Sequence, residues 1–538
     1  MTITSAANST NCIDVMRANT IVIIAAGILG LAPAHADERD HLTTAVATSA
    51  AAPMASAALT ALTTVVIEDS SVYQAPALFP AYAAELGRPL TRDGARAIVN
   101  AIADLYVRDG YVKPEVAVTD SSTAGLLRVR VHEAQLARVV VEGGGPFADE
   151  LRHIGARLEN RRPLRRDDIP ATLREMRQFS GMSVTASTQR SQERNTFDLM
   201  VHADFSLVDG VVRMNNRGTD QVGPAFLLGQ FFVNGLLGQG EKIGLIVAAA
   251  TDHDEYLGGG LYFDAPLGSA GTRGNALLFT SHSAPNEAPV NFDDEYSRKR
   301  MTFRVSHPLR QSGNLALTAS GAFEMDNLSI DREGTMIRED RLRVAEAAVR
   351  ASWRAGATQY SANLQMRHGL DGLGAGLHAP DLIVDARRAD FMVMLAQTTA
   401  LRRFADHWTL RFDAFAQTTG YVLPDSERFK IGGDRLGRGF EVAEIAGDRG
   451  LGGKLELRRD LRSTESMLGR LSTYGFYDIG AAWKRDRPGR ESAATAGIGL
   501  AAQGASLTGY LELAAPLTGP DIEGNRDTSV FAELSYRF

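Results

Sequence analysis

From residue 207 onward, apolar and polar positions alternate in short runs with the period of two that a half-buried β-strand requires. In the last run Val530, Ala532, Leu534, Tyr536 and Phe538 share one face, and Glu533, Ser535 and Arg537 share the other. Trp408, Leu410, Phe412 and Ala414 separate in the same way from Thr409, Arg411, Asp413 and Phe415. The alternation predicts sixteen strands, at about 207–217, 225–234, 240–250, 256–265, 273–282, 298–307, 313–326, 341–354, 357–367, 388–398, 406–417, 451–459, 470–484, 493–502, 506–515 and 528–538. Short connections (Leu236-Leu237-Gly238, Arg354-Ala355-Gly356, Gln503-Gly504-Ala505) alternate with long ones (284–295, 327–340, 370–386 and 418–450). An even strand count, with tight turns on one side and long loops on the other, is the pattern of a closed transmembrane barrel whose apolar rows face lipid. A soluble two-sheet protein would alternate too, but without that loop asymmetry. The asymmetry places both ends of the barrel, and whatever precedes it, on the periplasmic side.

Residues 64–205 read differently. The order strand, two helices, two strands occurs twice. It runs first through Val65-Val66-Ile67, helices at 76–86 and 92–108, and strands at 115–118 and 126–131. It then runs through strand 136–141, helices at 148–158 and 166–179, and strands 182–188 and 196–203. Thr91 is an N-cap candidate and Gly110 a helix stop. An internal repeat of roughly 70 residues implies two modules built alike, each a small α+β (β-α-α-β-β) unit with sheet edges open for pairing. The predicted fold class is therefore an all-β transmembrane barrel of sixteen antiparallel strands preceded by two small α+β modules. The predicted division is 1–36 signal peptide, 37–63 Ala/Thr-rich linker, 64–134 first module, 135–205 second module and 206–538 barrel.

Composition narrows the address. The chain has 538 residues and is 44% apolar, which is globular rather than disordered. Arg17, the apolar run from Ile21 to Leu31 and Ala34-His35-Ala36 form the tripartite pattern of a secretory signal peptide cut after Ala36. Met16 stands where such a peptide would begin, so translation from Met16 is expected. The one cysteine, Cys12, falls in the discarded stretch, which removes disulfide and thiol chemistry from the mature chain. A net charge of −7 gives no sign of nucleic-acid binding.

Two motifs carry the candidate function. Leu436-Gly437-Arg438-Gly439-Phe440 lies in the longest predicted loop, with further glycines at 432 and 433. Phe476-Tyr477-Asp478-Ile479-Gly480 lies in the thirteenth predicted strand. Counting by twos, Phe476, Asp478, Gly480 and Lys484 face the lumen, whereas Tyr477, Ile479, Ala481 and Trp483 face lipid. Asp478 thus points where a returning loop can reach. The other candidate clusters are weak. Ser281-His282-Ser283 places neighbours on opposite strand faces, which a catalytic triad cannot use. Asp252-His253-Asp254-Glu255 and Asp293-Asp294-Glu295 read as solvated tips of outer loops without the ligand order of a calcium site.

Together with Asn215-Asn216-Arg217-Gly218 at the end of the first barrel strand, these features resemble the outer-membrane transporters of two-partner secretion, the hemolysin activator and filamentous-hemagglutinin exporter family (ShlB/FhaC/HecB type). The resemblance covers about residues 64–538. It implies that the modules are polypeptide-transport-associated (POTRA) domains, that the long loop folds back into the barrel, and that Arg438 meets Asp478, with Gly439, Phe440, Phe476 and Gly480 completing a non-catalytic loop lock. Phe538 and Tyr536 would be the C-terminal barrel signal. The family's plug helix would fall in 38–63, whose weak amphipathic character argues against one.

The implied function is capture of an unfolded exported polypeptide in the periplasm and its secretion through the barrel. The expected partners are that cargo, outer-membrane lipid and the barrel-assembly machinery, with a monomer as the expected state. No enzyme activity, cofactor, metal or nucleic acid is expected. An assembly factor that inserts other barrels, a passive porin and an outer-membrane hydrolase are the alternatives.

Overall fold

The computed structural model describes residues 60–538 apart from 160, 220–221, 252–253, 286–293, 380–385, 406, 464–468 and 521–526. The expected signal peptide, Met16, Cys12 and most of the 37–63 linker lie outside the described residues, as does any plug helix there. The described residues form two compact units, an N-terminal one that ends at Ser206 and a second from Leu207 to Phe538.

The N-terminal unit contains two three-stranded sheets. In the first, β1 (Thr64–Glu68), β2 (Glu115–Asp120) and β3 (Leu126–His132) are ordered β1-β3-β2, with β1 parallel to β3. In the second, β4 (Gln135–Gly143), β5 (Met182–Arg190) and β6 (Thr196–Phe205) repeat that order as β4-β6-β5. Helix α1 (Arg92–Arg108) starts where the Thr91 hydroxyl accepts from the Gly94 amide at 3.0 Å. Its buried residues Ala95, Ile98, Ile102 and Tyr106 follow the helical period and pack on Leu127, Val129 and Val131. Helices α2 (Ala148–Ala156) and α3 (Asp168–Met176) cover the second sheet through Leu151, Ile154 and Met176.

Two expectations change here. The helix at 76–86 is one α-turn, Ala75–Leu78, followed by 3₁₀ turns at Phe79–Ala81 and Ala83–Glu85. Pro80 explains the break, because it has no N–H to donate and clashes with the preceding turn. The end of the linker also belongs to the first module: Leu62 is buried in its core and its amide donates to the Arg88 carbonyl at 2.8 Å.

The barrel closes from sixteen antiparallel staves. They are β7 (Val208–Asn215), β8 (Phe226–Asn234), β9 (Lys242–Ala250), β10 (Tyr256–Pro266), β11 (Arg273–Ser283), β12 (Asp294–Ser312), β13 (Leu315–Arg332), β14 (Thr335–Ala355) and β15 (Thr358–Gly369). A three-residue strand, β16 (Gly376–His378), lies outside the stave count and pairs with the upper part of β14. The series continues with β17 (Met392–Phe404), β18 (Trp408–Thr419), β21 (Arg449–Ser463), β22 (Arg470–Trp483), β23 (Glu491–Gln503), β24 (Leu507–Thr518) and β25 (Ser529–Arg537). The ladder closes where β25 meets β7, with Glu533 opposite Asn215 and Arg537 opposite Val211. That seam has five register pairs, fewer than any other junction between staves.

All sixteen predicted strands are present, but several, β12, β14 and β21 most of all, are longer than their alternation indicated. Residues 327–340, expected as a long loop, continue β13 and β14 to a tight turn at Glu333-Gly334. Leu328 and Ile330 are buried along this extension. The interleaved charges that resemble a loop are cross-strand partners, such as Arg332 with Asp294 at 2.7 Å. Asp294 and Glu295 accordingly start β12 instead of forming a solvated tip, and Asp293 lies outside the described residues.

Candidate functional site: a charged clamp inside the barrel

The segment 420–448 between β18 and β21 turns back into the barrel. It contains a short two-stranded sheet, β19 (Phe429–Ile431) with β20 (Ile445–Gly447). Phe429, Ile431, Leu436, Phe440 and Ile445 form one buried cluster with Phe415, Ala482 and Ala493, which stand on the inner faces of β18, β22 and β23. Small residues on the wall admit the loop. A Cβ added to Gly452 would overlap Leu436, and one added to Gly480 would lie 2.8 Å from Ile431. Gly480 is therefore part of the seat that the Phe476–Gly480 motif provides, and it touches the loop directly.

Arg438 sits at the tip of this loop and is 5% exposed. Its Nε and Nη2 donate to the two oxygens of Asp478 at 3.0 and 2.9 Å, the two-pronged geometry that suits a guanidinium to a carboxylate. The Gly437 and Arg438 amides add longer contacts to Asp478 Oδ2 at 3.3 and 3.2 Å. Gly437 has a φ of +85°, a conformation that favours glycine, and this aims both amides at one oxygen. Gly439 has a different reason: its Cα comes so close to β23 that a Cβ would lie 2.6 Å from Thr495 Cγ2. Phe476 lies flat beneath the guanidinium, with the Arg438 carbon 3.5 Å from the ring centroid. Phe440 packs its ring where a Cβ on Gly519 would stand.

The alternation of β22 puts every one of these groups on the predicted side. Phe476, Asp478 and Gly480 are buried, whereas Tyr477 and Ile479 are exposed on the outer wall. Lys484 lies past the end of the strand and pairs with Glu491 at 2.8 Å. Phe538 and Tyr536 are on the outer face of the last strand, and Phe538 exchanges backbone hydrogen bonds with Gly210 at 3.1 and 3.2 Å.

Four further residues join the site, and of these only Arg217, in the Asn215–Gly218 motif, stood out from the sequence. Arg438 Nη1 also reaches Glu456 on β21 and Glu512 on β24, at 3.1 and 3.2 Å. Arg217, just past β7, pairs with Glu512 and donates to the Arg438 carbonyl at 3.3 Å. The Tyr474 hydroxyl donates to Glu512 at 3.0 Å. Glu512 was recoverable in principle: a carboxylate between the outward Leu511 and Leu513 must face the lumen.

The loop has a second footing. Glu427 accepts from Arg367 Nε at 2.9 Å, and Arg367 also pairs with Glu346 at 2.8 Å and Glu324 at 3.1 Å. Asp425 pairs with Arg338 at 2.7 Å. These partners stand on β13, β14 and β15, away from the strands that hold Arg438. The loop is thus fastened to two walls, with a cation at its tip and anions at its base.

The other sequence candidates do not assemble into chemistry. Ser283 Oγ donates to the Glu255 carbonyl at 2.7 Å while His282 is exposed, so the two share no site. Asp252 and His253 lie outside the described residues.

A family model for the haemolysin secretion/activation proteins ShlB/FhaC/HecB matches residues 201–502. The chain belongs to this family. A search of the curated proteins found no match. Among solved structures the chain is similar to CdiB from Escherichia coli, at 17% identity and a TM-score of 0.77, with 100% of each chain covered. It is also similar to CdiB from Acinetobacter baumannii, at 13% identity and a TM-score of 0.68, again with 100% of each covered. BamA from Haemophilus ducreyi lacking POTRA domains 1–3 matches more distantly, at 13% identity and a TM-score of 0.51, over 89% of this chain and 100% of that one. Identities this low speak for the fold, and the family model for the membership. As a two-partner secretion transporter of the ShlB/FhaC/HecB family, the chain is an outer-membrane barrel, and its N-terminal unit is periplasmic.

Proposed function

We propose that this transporter captures an unfolded exported polypeptide with its periplasmic modules and secretes it through the barrel, with Arg438 and Asp478 as the latch of the 420–448 loop. The observation that carries the proposal is the loop itself. It occupies the lumen, yet its tip is held by ionic and stacking contacts that can be exchanged without breaking the wall. We assign the modules as POTRA domains at 64–134 and 135–205. In them β2 and β5 occupy sheet edges, where an extended peptide can add as a further strand. The chain has no phosphate-binding Gly-Lys-Ser/Thr loop. Direction therefore comes from the cargo, which folds on the outside and cannot return. The reading requires no catalytic step, and the protein is proposed to act as a conduit and not as an enzyme.

Deletion of the chain from its native strain tests this. One large exported polypeptide should accumulate in the periplasm while other barrels assemble normally. Loss of many outer-membrane proteins, with cargo export intact, would instead identify an assembly factor and overturn the proposal.

A further inference from the structure

The outer wall carries a groove that neither the loop clamp nor the seam uses. It encloses about 520 Å³ and is lined on its outward side by Leu364, Met394 and Leu451, with Arg449 and Trp483 at its upper end. A second cavity of about 310 Å³ continues from those same two residues over the β22–β23 loop, lined by Lys484, Arg485, Asp486 and Arg487. Arg449 and Trp483 are register partners on β21 and β22. Arg449 opens β21 and Trp483 ends β22, so both stand at the rim farthest from the periplasmic turns. Arg449 lies on the same face as Leu451 and Leu455, which are exposed on the lipid side.

The charges of this cup are unequally matched. Lys484 is paired with Glu491 at 2.8 Å, and Arg487 lies 3.7 Å from Asp486. The guanidinium groups of Arg449 and Arg485 have no partner among the described residues, and the Nε of Arg449 is buried without a hydrogen bond. Their positions are fixed. Asp448, which is fully buried, accepts from the Arg485 amide at 2.6 Å and from the Leu423 amide at 2.8 Å, holding the loop start beside Arg449. An unpartnered guanidinium on a lipid-facing wall is unfavourable unless an anion reaches it. The groove below it is apolar and open to the bilayer, and Trp483 stands at the level where indole rings favour headgroups.

We propose that this composite is a binding site for a phosphorylated lipid of the outer leaflet. One acyl chain lies along Leu364, Met394 and Leu451, and a phosphate takes both prongs of Arg449 and contacts Arg485. No protein partner matches the combination as well, because the cup is cationic and the groove beneath it is immersed in the membrane.

The full chain in phosphatidylcholine nanodiscs containing a minor fraction of lipid A, a phosphorylated glycolipid, tests the site by native mass spectrometry. The unaltered chain should retain lipid A in preference to phosphatidylcholine. Arg449→Gln with Arg485→Gln should weaken retention about tenfold or more, from the typical contribution of each cation near an anionic headgroup. Arg402→Gln, at the opposite end of the barrel, should change nothing. Folding is checked by heat-modifiable gel mobility. If the double variant does not fold, the unaltered chain in about 1 M salt, where the screening length is about 3 Å, must lose lipid A selectively. Equal retention by the double variant, displacement of the lipid by inorganic phosphate alone, or a second copy of the chain occupying the groove in its place would each overturn the proposal.

Discussion

Replacing Arg438 by Ala is the perturbation whose magnitude the structure defines best. It removes the two bonds to Asp478 at 3.0 and 2.9 Å, the contacts to Glu456 and Glu512 at 3.1 and 3.2 Å, and the stack on Phe476. Asp478 is fully buried and Glu512 is 2% exposed, so both lose a cation where water cannot replace it. Removing one partner of a buried ion pair costs about 3–5 kcal/mol. Two features favour the lower end. Arg217 remains on Glu512, and the amides of residues 437 and 438 can still donate to Asp478. A cost of about 3 kcal/mol is a factor of about 150 in the population of the docked tip. The apolar cluster around Ile431 and the Glu427–Arg367 pair are untouched, so the tip should detach while the base stays. Hydrogen exchange followed by mass spectrometry on the full chain in detergent reads this directly. Amides at 436–440 should exchange about a hundredfold faster, and those of β19 and β20 should change little. Arg438→Lys, which keeps a point charge without the fork, should fall between. Unchanged protection at 436–440 would refute the reasoning, because the carboxylates would then not be what holds the tip.

Arg367→Met should lower the stability of the folded barrel by about 3–5 kcal/mol, because it leaves Glu324, Glu346 and Glu427 facing one another without their shared cation; the urea midpoint of heat-modifiable gel mobility measures it. Gly439→Ala should unseat the tip by about 1–3 kcal/mol, less than Arg438→Ala, since its methyl would meet Thr495 at 2.6 Å; the same exchange experiment ranks the two. In the periplasmic unit, hydrogen bonds from Arg128 and then Arg130 hold the Glu68 carboxyl below its ordinary range. The stabilisation they provide is present at neutral pH and lost as pH falls through that lowered value, so the unit should melt at a lower temperature at about pH 3 than at about pH 6, and Glu68→Gln should flatten the difference.

Much of this architecture is legible in the chain because a barrel imposes period two on every stave. The inward placement of Phe476, Asp478 and Gly480 follows from counting, and so does the outward placement of Tyr536 and Phe538. What the chain does not display is who meets whom across the lumen. Arg217 and Glu512 lie 295 positions apart, and Arg367 and Glu427 lie 60 apart. Nothing in a local pattern selects Glu512 over other inward carboxylates. The extension of β13 and β14 was hidden for a related reason. Charges in 327–340 look like a solvated loop until their cross-strand partners are known, and only then do the buried Leu328 and Ile330 emerge as one face. The helix expected at 76–86 failed on local grounds, where Pro80 outweighs the apolar spacing.

The central claim is that cargo passes through the lumen. It is tested most directly by placing a photo-crosslinking amino acid at Ile246, which is buried on the inner face of β9, and in a second protein at Val247, which is exposed on the outer face. With cargo stalled during export by a folded domain at its trailing end, the position at 246 should yield a covalent adduct to the cargo and the position at 247 should not. Adducts at 247 alone, or export that proceeds with no adduct at 246, would contradict passage through the barrel.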